Sequence, residues 1–341
     1  MKGLSRRQFI GASLTTAAGV ALGTKVIGAP AIIKNLGKPD SVIKGVPIGV
    51  ITYSYRNLPD QSAEKVLQYC VDSGISAVEL MGTVAENFAG APVNPNAGRG
   101  PGTPQPQPGA ELTEEQKKAR EEMRAANAAF AKKLAEWRIA VSMDKFEQLR
   151  KMYKNAGVSI VSWKPSALGV ANSDAEVDYA MRSAKALGTN TVTVELPTDP
   201  AQTKRLADIA RKHKVYVGYH QHLQATPTLW DTALSQSPYN SLNCDIGHYV
   251  AAGYNAIELL EAKHDRIRNM HIKDRKSKEN GGANLPFGSG DTPLVQMLQL
   301  MKKNKWKFPA VIEQEYQIPE GSDVVKEIAR CFEFCKAALE A

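Results

Sequence analysis

Six histidines occur in the 341 residues of the chain, and four of them stand at the ends of short apolar runs. "VYVGYHQH" (215–222) ends in His220 and His222, and "NSLNCDIGH" (240–248) ends in Asp245 and His248. "IRNMHIKD" (267–274) carries His271, Lys273 and Asp274, and "PAVIEQEY" (309–316) carries Glu313 and Glu315. Earlier runs finish the same way, with Glu79 in "SAVELMG", Lys164 in "VSIVSWK" and Glu195 in "TVTVELP". Side chains of this polarity are costly to bury without partners. Their recurrence at run ends therefore points to convergence on one place. Imidazole nitrogens with carboxylate oxygens suit a divalent ion such as Mn²⁺, Co²⁺, Fe²⁺ or Zn²⁺. The set expected to hold it is His220, Asp245, His271 and Glu313, one from each of four successive strand ends spaced about 4.8 Å apart. Alternation along a strand turns Cys244 away from Asp245 and puts His222 on the side of His220, further out and near a substrate. Glu195 or Glu313 is the candidate base and His248 a candidate acid or hydroxyl holder. Glu79, Lys164 and Lys273 are candidates for substrate contact.

The elements that must position these groups alternate. From residue 47 onward, eight short β-branched strands are each followed by a segment with helical spacing of apolar residues. Several of those helices stop at glycine, as at Gly74, Gly157 and Gly188. Strands that are apolar throughout belong to sheets covered on both faces. Eight such units predict a closed (β/α)8 barrel with its site at the C-terminal strand ends. A doubly wound open sheet is the alternative, though no G-x-G-x-x-G follows the first strand. One barrel domain is expected over residues 46–340, with an insertion at 83–140 after the second strand. That insertion holds a Pro/Gly-dense stretch (90–112) and then a helix whose Thr113 and Gln116 have capping-box spacing. It leaves from the face where the site is expected, so it is placed to cover it.

Composition is that of a globular protein, with 43% hydrophobic and 23% charged residues. The net charge is +8, but Lys2, Arg6, Arg7 and Lys25 all lie in residues 1–31, which carry no acid. The rest of the chain is only mildly basic and has no basic stripe, which argues against nucleic acid as a partner. Residues 1–31, with Arg6-Arg7 ahead of "FIGASLTTAAGVALG" and a small-residue Ala29-Pro30-Ala31, resemble a twin-arginine export signal. The apolar run is too short and polar for a permanent membrane anchor. Passage through the twin-arginine export machinery, and a periplasmic or secreted location, are expected. Cys331 and Cys335 lie four apart on one helix face, spacing that suits two buried thiols better than a disulfide. Whether chains pair into a homo-oligomer is left open.

Taken in order, "DIGH" (245–248), "NMHIKD" (269–274), "VIEQEY" (311–316) and "GYHQH" (218–222) resemble the sugar phosphate isomerase/epimerase superfamily, the xylose-isomerase-like TIM barrels. The resemblance spans about residues 46–340. It implies a Mn²⁺- or Mg²⁺-type ion on Asp245, His271 and Glu313, and a small carbohydrate as substrate. One departure matters: family epimerases have a Glu on strand five as ligand and base, and here that position is His220. Glu195, on the neighbouring strand, is its natural substitute as ligand or base. The first functional reading is a sugar isomerase or epimerase that abstracts a proton beside a carbonyl through a metal-stabilised enediolate. The second is a lyase or dehydratase that eliminates from a keto sugar, keto-glycoside or inosose. The non-enzymatic reading is an exported carbohydrate-binding protein. A DNA-repair role requires three clustered metals and a basic trench, and the charge pattern argues against it.

Overall fold

Eight runs of small and β-branched residues form one closed parallel barrel in the computed structural model, which describes residues 37–94 and 113–341. The strands are β1 (Val46–Ile51), β2 (Ala77–Met81), β3 (Ser159–Lys164), β4 (Thr191–Glu195), β5 (Tyr216–His220), β6 (Asn240–Asp245), β7 (Ile267–Ile272) and β8 (Ala310–Ile312). β8 pairs in parallel with both β7 and β1, and β1 pairs with β2, so the sheet has no edge and the open-sheet alternative is set aside. The segment Val42–Ile43 folds back antiparallel on β1. Helices surround the barrel, and their apolar faces and the strands share one core, with Trp163, Tyr179, Phe146 and Leu298 fully buried. Gly74, Gly157 and Gly188 do stop their helices, each with a positive φ (75°, 85° and 85°) that side-chain-bearing residues avoid.

The expected export signal (1–31) lies outside the described residues, as does most of the Pro/Gly-dense stretch, of which 95–112 is not described. After it, helix Glu114–Ala140 begins with the expected capping box: Gln116 N–H donates to Thr113 Oγ1 at 3.2 Å and Thr113 N–H to Gln116 Oε1 at 3.0 Å. This helix is mostly exposed and is anchored near its end by Arg138. Arg138 is buried against Glu86 (2.8 Å), Glu176 (3.1 Å) and Ser166 (2.6 Å).

Three elements differ from the pattern read along the sequence. β8 stops at Ile312, because Gln314 N–H leaves the ladder for Ser54 Oγ at 3.0 Å. The helical segment after β5 is only Asp231–Gln236, behind tight turns closed by Leu229 N–H to Thr226 O and Asp231 N–H to Thr228 O. The sixth strand ends at Asp245 rather than at 248, and a short helix, Ile246–Ala251, follows with Asp245 as its N-cap. All four cysteines are free and buried, in keeping with the thiol reading of Cys331 and Cys335. Among the described residues no helix is long and apolar enough to cross a membrane.

Candidate active site

The floor of the site is a polar layer inside the barrel, centred on Glu79. Its Oε1 accepts from Thr193 Oγ1 at 2.5 Å and Asn243 Nδ2 at 3.3 Å; its Oε2 accepts from Asn269 Nδ2 at 2.6 Å and lies 2.6 Å from His271 Nε2. Glu79 is wholly buried. Glu79, expected at the substrate, lies deep in the barrel with both oxygens engaged, one of them 2.6 Å from His271 Nε2. Burial opposes its charge, but His271 and nearby cations hold its carboxyl below the usual range.

Above this floor, register brings the candidate ligands to one height. Asp245 on β6 is the direct Cα partner of His271 on β7, and Glu195 on β4 that of His220 on β5. His220, Asp245, His271 and Glu313 are all buried, and each offers a donor atom such that the four atoms lie within 4.8 Å of one another. Asp245 divides its oxygens. Oδ1 accepts the His248 backbone N–H at 2.8 Å as the helix cap, which leaves Oδ2 turned inward. Gln221, which strand alternation turned away from the site, clamps this strand end: its Nε2 donates to Asp245 O at 2.6 Å and its Oε1 accepts Asp245 N–H at 3.0 Å.

Two observations fit this group to a divalent cation. His220 Nδ1 is a buried polar atom with no hydrogen-bond partner, a costly state that an ion would relieve. Asp245 Oδ2 makes no hydrogen bond and has only the Lys273 ammonium, 2.9 Å away, to balance its charge. His220 is also held neutral, as a ligand must be, by burial first and then by the His271 and Lys164 cations. His271 resembles the usual metal-bound histidine: Glu79 takes Nε2–H, so Nδ1 faces Glu313 Oε2 at 3.1 Å and Asp245 Oδ2 at 3.8 Å. Burial works against its charged form, but Glu79 and Glu313 outweigh burial and push His271 up to about 10. An ion bound there would have to displace the Nδ1 proton, because a ligand nitrogen must be bare. Burial likewise pushes Asp245 up to about 6, whereas His271 and Lys273 overcome burial at Glu313 and hold it well below the carboxylate range.

Lys273 belongs to this cluster rather than to the rim. Its ammonium lies 2.9 Å from Asp245 Oδ2, without the alignment of a hydrogen bond, 2.8 Å from Glu313 and 2.6 Å from Glu315. It balances three carboxylates in a buried space. Gly247 makes room for it: a Cβ there would stand 2.2 Å from Lys273 Cγ. The glycine of "DIGH" is thus required by space rather than by backbone angle.

The rim carries Glu195, Lys164, His222 and His248. Glu195 is half-exposed, with Oε1 2.8 Å from Lys164 Nζ and Oε2 3.1 Å from His222 Nε2. Glu195, His220 and His222 also place one donor atom each within 4.8 Å of the others. Each set has an ammonium beside it, Lys164 at the trio and Lys273 at the foursome. The foursome is the better cation site because it offers two carboxylates and four buried donors, against one carboxylate and a mostly exposed trio. His248 is buried, with Nδ1 2.6 Å from Arg275 Nη1 and Nε2 4.0 Å from Asp245 Oδ2. Burial, then Lys273 and Arg275, pull it down to about 2, so it stays neutral. Its ring lies 4.8 Å from that of His222.

Sequence reasoning missed Thr193, Asn243 and Asn269 beneath the ligands, and Gln221 and Arg275 around them. The first three were available as polar residues two positions before Glu195, Asp245 and His271. Asp274 organises the loop after β7, its carboxylate accepting N–H groups of Gly288 (2.8 Å), Gly290 (2.8 Å) and Thr292 (3.3 Å). A groove of about 1010 Å³ lies at the opposite end, lined by strand starts such as Ser159, Thr191 and Ile267, and no candidate donor borders it.

The sequence pattern of the xylose isomerase-like TIM barrels matches residues 121–335. Among solved structures, a sugar phosphate isomerase/epimerase from Parabacteroides distasonis is 16% identical, with a TM-score of 0.53 over 86% of this chain and 95% of that one. A probable 3-DHS dehydratase from Bacillus anthracis is 13% identical, with a TM-score of 0.55 over 84% of this chain and 98% of that one. The 3-keto-D-glucoside 4-epimerase of E. coli is 11% identical, with a TM-score of 0.54 over 86% of this chain and 99% of that one. At such identities the likeness is one of fold. No curated protein sequence matches the chain.

Proposed function

Since the chain belongs to the xylose isomerase-like TIM barrel family, we propose that it is a metal-dependent sugar isomerase or epimerase that removes a proton beside a carbonyl. One observation carries this reading: His220, Asp245, His271 and Glu313 direct four donor atoms into a buried space with sides under 4.8 Å. A divalent ion bound there would polarise a carbonyl oxygen and offset the charge that develops as the adjoining C–H bond breaks. Mn²⁺ is the ion we propose, since two imidazoles and two carboxylates suit it.

The chain's own groups supply the rest. Glu195 takes the C–H proton, because it is the carboxylate open to the barrel mouth. Glu313 is buried and committed to His271 and Lys273. Lys164 and His222 fix both oxygens of Glu195 and set the direction of attack. His248 donates Nε2–H to a substrate oxygen. Glu195 lies on one side of the enediolate, so returning its proton to the neighbouring carbon gives isomerisation, whereas epimerisation requires a proton donor on the opposite face.

The second reading, elimination from a keto sugar or keto-glycoside, is favoured by His248, a neutral donor beside the ion site that can assist a departing oxygen. Both readings share the first step. Incubation with keto sugars and keto-glycosides in D₂O with Mn²⁺ should place deuterium at the α carbon, and chelation of the metal should stop it. No exchange with any of them would leave a binding protein. The twin-arginine segment sets this chemistry outside the cytoplasm in our reading, and recovery of the native protein only in the cytoplasmic fraction would refute that placement.

A further inference from the structure

We propose that Arg275 is a positioning residue that fixes the tautomer of His248, so that an N–H and never a lone pair faces the bound ligand. Arg275 lies on the two-residue strand Asp274–Arg275, which pairs antiparallel with Asn284–Leu285 in the loop after β7. Its backbone N–H donates to Thr292 Oγ1 at 3.1 Å. Its Nε donates to Gly282 O at 2.9 Å, and Nη2 donates to the same oxygen. The guanidinium is thereby held flat against the loop, and Nη1 stands 2.6 Å from His248 Nδ1.

A guanidinium has only donors. His248 Nδ1 must therefore accept, and the one proton of the neutral ring must sit on Nε2. That nitrogen lies on the side of Asp245 Oδ2, and the ring faces those of His222 and His220 with centroids 4.8 and 6.4 Å away. His248 is itself part of the helix Ile246–Ala251, and the charged groups acting on its ring besides Arg275 are Lys273 and Glu313, which pair with each other at 2.8 Å. The consequence is chemical: a fixed donor suits an oxygen that gains negative charge, whereas an imidazole free to exchange tautomers would accept from a hydroxyl as readily as it donates.

The test reads the nitrogens directly, in the full chain labelled with ¹⁵N at histidine, with the His248 signals identified by their loss in His248→Asn. The wild type should show a protonated Nε2 and a bare Nδ1. Arg275→Lys, which keeps a donor, should preserve that pattern; Arg275→Met should give a mixture with the Nδ1–H form. If the keto-sugar assay works, kcat of Arg275→Met should fall about tenfold to a hundredfold, as for other outer partners that orient an imidazole, with partial recovery in Arg275→Lys. This kinetic arm rests on the functional reading above, and the nitrogen pattern does not. A wild-type His248 carrying its proton on Nδ1 overturns the proposal even if the Met variant fails to fold. So does a folded Arg275→Met with the wild-type nitrogen pattern.

Discussion

Glu195→Gln should lower deuterium incorporation at the substrate α carbon by about 10²–10⁴-fold, the range of a positioned general base, and leave Mn²⁺ affinity unchanged. Both halves follow from where the carboxylate sits. Glu195 is half-exposed at the mouth, on the strand end paired with His220, and its oxygens engage Lys164 and His222. A glutamine keeps the size and the contact with Lys164 but cannot accept a proton. The buried foursome does not include it, so an ion held there should not register the change. If Mn²⁺ affinity falls along with exchange, Glu195 is a ligand of the trio with His220 and His222, and the division of roles drawn above is wrong.

Glu79→Leu should weaken Mn²⁺ binding by about 10–100-fold and destabilise the metal-free protein by about 3–5 kcal/mol, although Glu79 never reaches the ion or the substrate. The loss has two sources. His271 loses the acceptor 2.6 Å from Nε2 that holds its ring and leaves Nδ1 for the ion. Asn269, Asn243 and Thr193, buried around the same carboxylate, lose the acceptor they share. Urea denaturation and Mn²⁺ titration read the two effects separately. Glu79→Gln, which keeps an acceptor oxygen, should lose less of both. A Glu79→Leu protein with wild-type stability and affinity would mean that the polar floor does nothing for the site.

The barrel was legible because its signals are strong and local: β-branched runs, glycine stops with positive φ, and polar residues at strand ends. Asp245, His271 and Glu313 could be singled out in the same way, and the structure brings them together with His220. Depth was not legible. Met81 pairs with Lys164 in register, so Glu79 lies two residues deeper than the lysine it was grouped with, and it became floor rather than rim. Run ends alone cannot give this, because register depends on pairing between strands far apart in sequence. Arg275 was hidden for a related reason. In "KDRK" it reads as a solvated cation, and only the small hairpin after β7 turns it onto His248. Lys273 was expected at the substrate, and its ion pairs with Asp245, Glu313 and Glu315 could not be read from the sequence, because they arise from the three-dimensional crowding of carboxylates.

The most direct test of the central claim is the metal stoichiometry of the purified chain after loading with Mn²⁺ and exhaustive dialysis, measured beside Asp245→Asn. One tightly held ion per chain, lost in the variant while its fold persists, is the predicted result. A folded wild-type chain that retains no ion, or an Asp245→Asn chain that holds it as well as the wild type, would contradict the account.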